Sequence, residues 1–344
     1  MEQERAETKQ WDELERYLTS HVQDQKPARL KILGDIFRAT IKLAKENPGT
    51  LNLKITASTL RELRYSFKTF YPYRHIPKIT MFGSARVPPG TPLYDFAKRF
   101  GAEAVKRNFL IITGGGPGIM AAGNEGAEKR SFGLNIRLPV EQSANKFIDA
   151  EKMLVHYKYF FTRKLFLVKE ASAFAFFPGG FGTFDEAFEV LTLLQTGKSN
   201  LFPVVMMEPE GFGYWTKLVK FMDEVLLKKG FVSGSDKHLY RIFHTPREAL
   251  DHIELFYKNY HSMRFVGDKL VVRVKKRLPD AELARAQKKF SAMLKGQEIV
   301  QAGPLPEELN EPEIKHLERL ILPFDRSDYG ALRAFIDFVN ENTV

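Results

Sequence analysis

The stretch PGGFGTFDE, residues 178–186, places three glycines within four positions and an acid, Glu186, just behind them. It follows a short apolar run, 173–177, that reads as a buried parallel strand. It leads into 187–194, whose apolar residues fall at helical spacing. Gly179, Gly180 and Gly182 at a strand-to-helix turn allow a tight bend and close approach to a ligand. The new helix directs free N–H groups and its positive dipole end at the same place. That chemistry suits an anion, a phosphate above all, with a carboxylate nearby.

Glu186 has two readings on spacing alone. Thr183-x-x-Glu186 before an apolar run is a capping-box pattern, worth about 0.5–2 kcal/mol at the cap. The other reading makes Glu186 a functional carboxylate. A second pair of residues bears on the choice. Arg163 and Lys164 sit in a helix, 160–170, dominated by Phe160, Phe161, Leu165, Phe166 and Val168. Buried charge costs several kcal/mol unless it is paired. Either the two side chains snorkel to water, or Arg163 emerges at a site where its planar fork meets phosphate or carboxylate. The second reading is favoured.

Two further turns are built from glycine: FGSAR at 82–86, with Gly83 and Ser84, and TGGGPGIM at 113–120, with Gly115 and Gly116. The second contains a formal GxGxxA (Gly116, Gly118, Ala121). Its glycines are packed around Pro117 instead of being spaced for a pyrophosphate. The acid that should hold a ribose would be Glu141, beyond Pro139, so a dinucleotide cofactor is not expected. A P-loop Lys-Ser/Thr is absent. The eight histidines show no metal-ligand spacing, and no metal is expected.

These turns need a frame that brings them together. From residue 77 strands alternate with helices: strand 78–82, helix 94–107, strand 109–113, helix 119–129, strand 132–139, helix 160–170, strand 173–177, helix 184–195, strand 203–207, helices 212–228 and 246–257. That order implies a doubly wound, Rossmann-like parallel α/β sheet with right-handed crossovers. All the glycine turns then fall at the carboxyl ends of strands, where such sheets bind ligands. Residues 1–75 read as a helical extension. Leu30, Leu33, Phe37, Ile41 and Leu43 form one stripe that stops at Asn47-Pro48-Gly49. A second helix, 58–70, stops at Tyr71-Pro72. This region is expected to pack rather than do chemistry. Residues 76–260 form the sheet domain. Residues 261–344 form a small α/β addition: strand 268–278, helix 279–294, linker 304–312, strand 317–325 and helix 329–340.

At 344 residues with 44% hydrophobic content, the chain is long enough for a substantial core. It has no cysteine, so disulfides and thiolate chemistry are excluded. No apolar run reaches the roughly 18 residues of a membrane span, and the charged first residues lack a signal core. A cytoplasmic protein is expected. The net charge of +10 is spread along the chain without a nucleic-acid module, so nucleic acid is not the expected partner.

FGSAR, TGGGPGIMAAGNEGA, LNIRLPVEQSAN, FFTRK and PGGFGTFDE together resemble the Lonely-guy (LOG) family of nucleotide phosphoribohydrolases, often misnamed lysine decarboxylases. The resemblance spans about 76–257 and is nearest the long bacterial form. It implies hydrolysis of the N-glycosidic bond of nucleoside 5′-monophosphates to free base and ribose 5-phosphate, with no cofactor. AMP-like purine or pyrimidine nucleotides are the implied substrates, with cytokinin riboside monophosphates among the candidates. By motif position it implies catalytic roles for Arg163 and Glu186. Gly83, Ser84, Gly115, Gly116, Lys164, Gly179, Gly180, Gly182 and Thr183 would bind substrate. It also implies a homodimer or higher oligomer. The alternative is a nucleotide- or cofactor-binding carrier, like the molybdenum-cofactor carriers, that uses the same cradles without turnover.

Overall fold

The computed structural model describes residues 13, 16, 17, 20, 21, 26–137, 144–308 and 311–343. Glu141 lies outside these residues. The chain divides into two compact units, Met1–Arg61 and Glu62–Val344.

In the N-terminal unit, α1 (Pro27–Lys45) buries no residue. Helix α2 (Gly49–Phe70) starts well before the expected 58 and crosses the unit boundary. Its first turn, Gly49-Thr50-Leu51, lacks the strong apolar periodicity that would have marked it.

The second unit is built on a seven-stranded parallel sheet, the Rossmann-like α/β fold expected from the alternation. Its strands are β1 (Lys78–Phe82), β2 (Leu110–Thr113), β3 (Ser131–Ile136), β4 (Leu154–Tyr157), β5 (Ala173–Phe176), β6 (Val204–Met207) and β7 (Arg241–Phe243). They lie in the order 4-3-2-1-5-6-7. β1, β2, β3, β5 and β6 are buried along their whole length, as strands covered on both faces must be. The crossover helices are α3 (Pro92–Lys106), α4 (Ile119–Ala127), α5 (Phe160–Lys169), α6 (Phe181–Gln195) and α7 (Tyr214–Phe221), and α8 (Pro246–Phe256) follows β7. One apolar cluster fills each face. Phe82, Ile112, Phe132, Phe166 and Phe176 belong to one, and Ile79, Met81, Phe100, Ile111 and Phe177 to the other.

β4 and β7 escaped the sequence reading. LVHY is short and carries a polar residue, and β7 is a three-residue edge strand with an exposed Arg241. The order of strands reverses at β1, which pairs with β2 on one side and β5 on the other. The carboxyl ends of β1 and β5 therefore open the crevice in which such sheets bind ligands.

Beyond it, a four-stranded antiparallel sheet is formed by β8 (Tyr260–Val266), β9 (Lys269–Val274), β10 (Val300–Ala302) and β11 (Glu318–Leu322), ordered 10-11-9-8. Helices α9 (Asp280–Lys289) and α10 (Tyr329–Glu341) pack with it. β8 and β10 were not expected, and the segment read as a linker is anchored. Glu308 within it is fully buried between Arg273 and Arg319. A charged residue flanked by prolines reads as exposed until its two cationic partners, distant in sequence, are known.

Candidate active site

The turns after β1, β2 and β5 meet at the crevice, and Ser84 joins them. Its N–H donates to the carbonyl of Pro178 at 3.1 Å, and its carbonyl accepts from Ile119 N–H at 3.0 Å. This close meeting dictates glycine at several points. A Cβ on Gly83 would lie 2.6 Å from the Ile119 side chain, and one on Gly179 would lie 2.0 Å from Thr183 Oγ1 and 2.8 Å from Ser84 N. Gly118 has φ of +67° and would bring a Cβ within 2.2 Å of Ser84 O, so both its backbone and its neighbour require glycine.

The glycines of 178–183 serve a different purpose from the bending expected of them. None of Gly179, Gly180 and Gly182 has a positive φ, and a Cβ on Gly180 or Gly182 would meet nothing within 4 Å. These two glycines face open space at the start of α6. The N-cap of α6 is Gly180, with no side-chain cap, so Thr183 and Glu186 lie inside the helix. The capping-box reading of Thr183 and Glu186 is therefore overturned. The helix starts three residues earlier than its apolar periodicity indicates, because Phe181 points outward and is 94% exposed.

Glu186 is buried, with only 7% of its surface exposed. Its Oε2 makes no hydrogen bond and lies 3.5 Å from Lys164 Nζ, at ion-pair range. Burial raises the Glu186 carboxyl to about 7, against the opposing pull of Lys164 and Arg163. Lys164 also contacts Asp185 at 2.9 Å and Glu189 at 2.7 Å. Burial would lower its ammonium, but Glu189, Asp185 and Glu186 together hold it above its usual value. The snorkelling reading thus fails for Lys164, which is held by three carboxylates on α6.

Arg163 turns the other way, across the sheet. Its Nε donates to Leu134 O on β3 at 2.7 Å. Its guanidinium lies against Gly114, where a Cβ would sit 2.2 Å from Nη2. Burial lowers the Arg163 pKa, and the charge of Glu186 opposes that effect. Arg163 and Glu186 act on one another through space and make no ion pair among the described residues.

The turn after β2 is tied by residues whose role the sequence alone does not reveal. Thr113 Oγ1 donates to Asn124 Oδ1 at 2.7 Å and accepts from Gly115 N–H at 3.0 Å. Asn145 Nδ2 reaches Asn124 Oδ1, Gly115 O and Gly116 O at 2.9, 3.2 and 3.1 Å. Asparagines flanking a glycine turn are the signal that could have found this network. On the far side, the Tyr214 hydroxyl donates to Gly179 O at 2.6 Å. Glu208 accepts from the N–H groups of Trp215 and Thr216 at 2.8 and 3.2 Å, filling the start of α7 with a carboxylate of the chain itself. The start of α6 has no such internal anion among the described residues.

Residues 110–253, which carry the turns after β2 and β5 together with Arg163, Lys164 and Glu186, match a family model described as "Possible lysine decarboxylase". Two probable cytokinin riboside 5′-monophosphate phosphoribohydrolases of Oryza sativa subsp. japonica are similar. One is 26% identical over 46% of this chain and 65% of its own length, the other 28% identical over 47% and 64%. A cytokinin riboside 5′-monophosphate phosphoribohydrolase of Arabidopsis thaliana is 28% identical over 46% of this chain and 74% of its own. Over this segment the chain is similar to the Lonely-guy phosphoribohydrolases. The match spans just under two thirds of the length of the two rice relatives. Among solved structures, TM1055 is 21% identical over 52% of this chain and 99% of its own, with a TM-score of 0.38. A molybdenum cofactor carrier protein from Chlamydomonas reinhardtii is 17% identical over 52% and 97%, with a TM-score of 0.37. No helix among the described residues is long and apolar enough to cross a membrane, and no group of three or more metal-ligating side chains is found among them.

Proposed function

We propose that this chain is a Lonely-guy phosphoribohydrolase that hydrolyses the N-glycosidic bond of nucleoside 5′-monophosphates, releasing free base and ribose 5-phosphate. The observation that carries the reading is Glu186. It is a buried carboxylate at the strand-order switch, beside an open helix N-terminus. One of its oxygens has no hydrogen bond, and its pKa is raised to about 7. A carboxylate kept short of partners and near neutrality is suited to act on a bound reactant.

In this reading the 5′-phosphate docks against the first-turn N–H groups of α6, above Gly180 and Gly182, with Gly179 and Thr183 forming the base of the cradle. Gly83, Ser84, Gly115 and Gly116 wall the ribose. As the C1′–N bond breaks, its electron pair leaves with the base and positive charge grows on the ribosyl carbon. The Glu186 carboxylate stabilises that charge and takes a proton from the water that adds to C1′, and that proton then passes to the departing base, which restores the carboxylate. Arg163, a donor rather than an acid, offers hydrogen bonds to developing negative charge. Lys164 holds Glu186 in place from α5.

The sheet domain, 76–260, is the catalytic part in this account, with 1–75 and 261–344 as additions. Phe160, Phe161, Leu165 and Phe188 on α5 and α6 are each more than 40% exposed. This apolar surface supports a homodimer that packs beside the site. The test is incubation with AMP, GMP, CMP, UMP and a cytokinin riboside monophosphate, followed by chromatography for free base and ribose 5-phosphate. Stoichiometric release of both from one substrate is expected. Binding of every monophosphate without release would refute the enzyme.

A further inference from the structure

The helix that carries Arg163 begins without a cap of its own. The N-cap of α5 is Tyr159, whose side chain makes no capping hydrogen bond, yet the first turn of a helix needs outside partners. Contacts from α2 hold this end of the chain, through the residue just before the N-cap and a side chain of the first turn. Glu62 Oε1 accepts from Lys158 N–H at 2.8 Å, and Glu62 Oε2 accepts a hydrogen bond from the Thr162 hydroxyl. One carboxylate therefore grips the chain on both sides of the start of α5, and Arg163 is the residue directly after Thr162. Negative charge at that end also complements the helix dipole.

A second tie lies one turn further along α2. The Ser66 hydroxyl donates to Glu62 O at 2.8 Å, so it accepts from the buried Tyr157 hydroxyl at 2.7 Å. Tyr157 ends β4, three residues before α5. Burial raises its phenol, and the charge of Glu62 adds to that, so it remains a neutral donor. Phe67 and Phe70 of α2 pack against Phe166 of α5, with ring centroids 5.3 and 6.2 Å apart. The start of α5 and its inner face are thus both set by α2.

Arg163 tolerates little rotation of that helix. Its guanidinium is held between Leu134 O and Gly114, in a space that a single added methyl group would close. A shift of about 1 Å in a catalytic group can cost on the order of a hundredfold in rate. Glu62 lies outside the matched segment, 110–253, while its partners Lys158 and Thr162 lie inside it.

We infer that Glu62 is a positioning residue for Arg163: through Thr162 and Lys158 it fixes the rotation of α5, and with it the place of the guanidinium in the crevice. The inference rests on the phosphoribohydrolase reading. The test measures kcat and KM for a cleaved monophosphate, together with thermal melting, in Glu62→Ala, Glu62→Gln, Thr162→Val and the Glu62→Ala/Thr162→Val double variant.

Glu62→Ala is expected to lower kcat by about ten- to a hundredfold. Its KM should stay within about threefold, because the phosphate cradle belongs to α6. Glu62→Gln should recover most of the rate, since its amide accepts from Lys158 N–H and donates to the Thr162 oxygen. The double variant should lose no more than its worse single, because both act through one contact. An active wild type whose Glu62→Ala and Thr162→Val variants keep kcat within about twofold overturns the inference and leaves the activity standing. A glutamine variant as slow as the alanine one, or a loss confined to KM, also overturns it. If Glu62→Ala does not fold, the glutamine and Thr162→Val variants decide by the same criteria. A wild type that releases no base from any monophosphate removes the activity reading and this inference with it.

Discussion

Lys164 Nζ stands 3.5 Å from Glu186 Oε2 while it makes closer contacts to Asp185 and Glu189. One ammonium is therefore shared among three carboxylates of α6, and the most buried of them receives the weakest share. Glu186 is held in position without being neutralised. A stronger pairing would have driven its pKa down into the usual carboxylate range; burial instead wins, and the group rests at about 7.

Replacement of Glu186 by glutamine separates catalysis from structure. The amide keeps the shape of the side chain and loses its charge, so kcat in Glu186→Gln should fall by about a hundredfold or more. Stability should change in the opposite direction. The folded pKa of about 7 lies above the ordinary 4.5, so the contribution of Glu186 to stability is full below 4.5 and is lost as pH rises through about 7. Glutamine has no such penalty. The variant should therefore melt at or above the wild-type temperature at pH 8, with the gap closing at pH 4. Scanning calorimetry at the two pH values checks this, and a variant that melts well below wild type at pH 8 would show that the charge supports the fold.

The pH dependence of turnover follows from the same group. As a base and cation stabiliser Glu186 must be ionised, so kcat should rise as pH increases through about 7 and level off above it. Lys164→Met removes the largest influence that lowers the Glu186 pKa and leaves Asp185 and Glu189, which raise it. The rising limb should move to higher pH. A kcat profile from pH 5.5 to 9 reads both effects, and a rate that falls on passing upward through 7 would assign Glu186 to acid rather than base chemistry.

Much of this site could be read from residues alone, for physical reasons. Glycines that a close neighbour forces, such as Gly83 and Gly118, come as dense runs. Apolar strands covered on both faces, such as 78–82 and 173–176, stand out from charged helices. The start of α6 was misplaced because its first residue, Phe181, is apolar yet exposed, which erases the boundary that periodicity would mark. β4, β7, β8 and β10 were missed because short or half-exposed strands take their identity from their pairing partners. The grip of Glu62 on α5 was not legible at all. It joins residues 96 and 100 positions apart, and nothing in the local pattern of α2 distinguishes that glutamate from its exposed neighbours.

Gly114 gives an independent handle on Arg163. A Cβ there would lie 2.2 Å from Arg163 Nη2 and 2.7 Å from Met120 Sδ, both far ends of flexible side chains. Gly114→Ala should therefore fold with a melting temperature close to wild type while displacing the guanidinium. Activity should drop by about a hundredfold, close to the loss in Arg163→Ala. Full activity in Gly114→Ala would show that the position of Arg163 against β2 is not the reactive one.

The small sheet has its own anchor, remote from the crevice. Glu308 is fully buried and accepts from Arg273 Nε at 2.8 Å and Arg319 Nε at 2.9 Å. Glu308→Gln leaves two buried guanidinium groups short of charge, and breaking such pairs costs about 3–5 kcal/mol. Denaturant unfolding should show that loss, while kcat measured well below the melting temperature should be unchanged. A coincident loss of turnover would tie the sheet of β8–β11 to the active site.

Gly182 tests the phosphate cradle through a substitution that the fold itself should welcome. It lies in the first turn of α6, has no positive φ, and an added Cβ would meet nothing within 4 Å. Alanine is favoured over glycine inside a helix by about 0.8–1 kcal/mol, so Gly182→Ala should melt slightly higher than wild type. If a 5′-phosphate lies against this turn, the same methyl group intrudes on the ligand. KM for the nucleotide should then rise by about tenfold or more, while the affinity for a free nucleoside, which has no phosphate to place there, should not change. Inorganic phosphate should also lose its competitive inhibition in the variant. Unchanged nucleotide KM together with the higher melting temperature would place the phosphate elsewhere in the crevice and leave the open space above Gly180 and Gly182 without its proposed ligand.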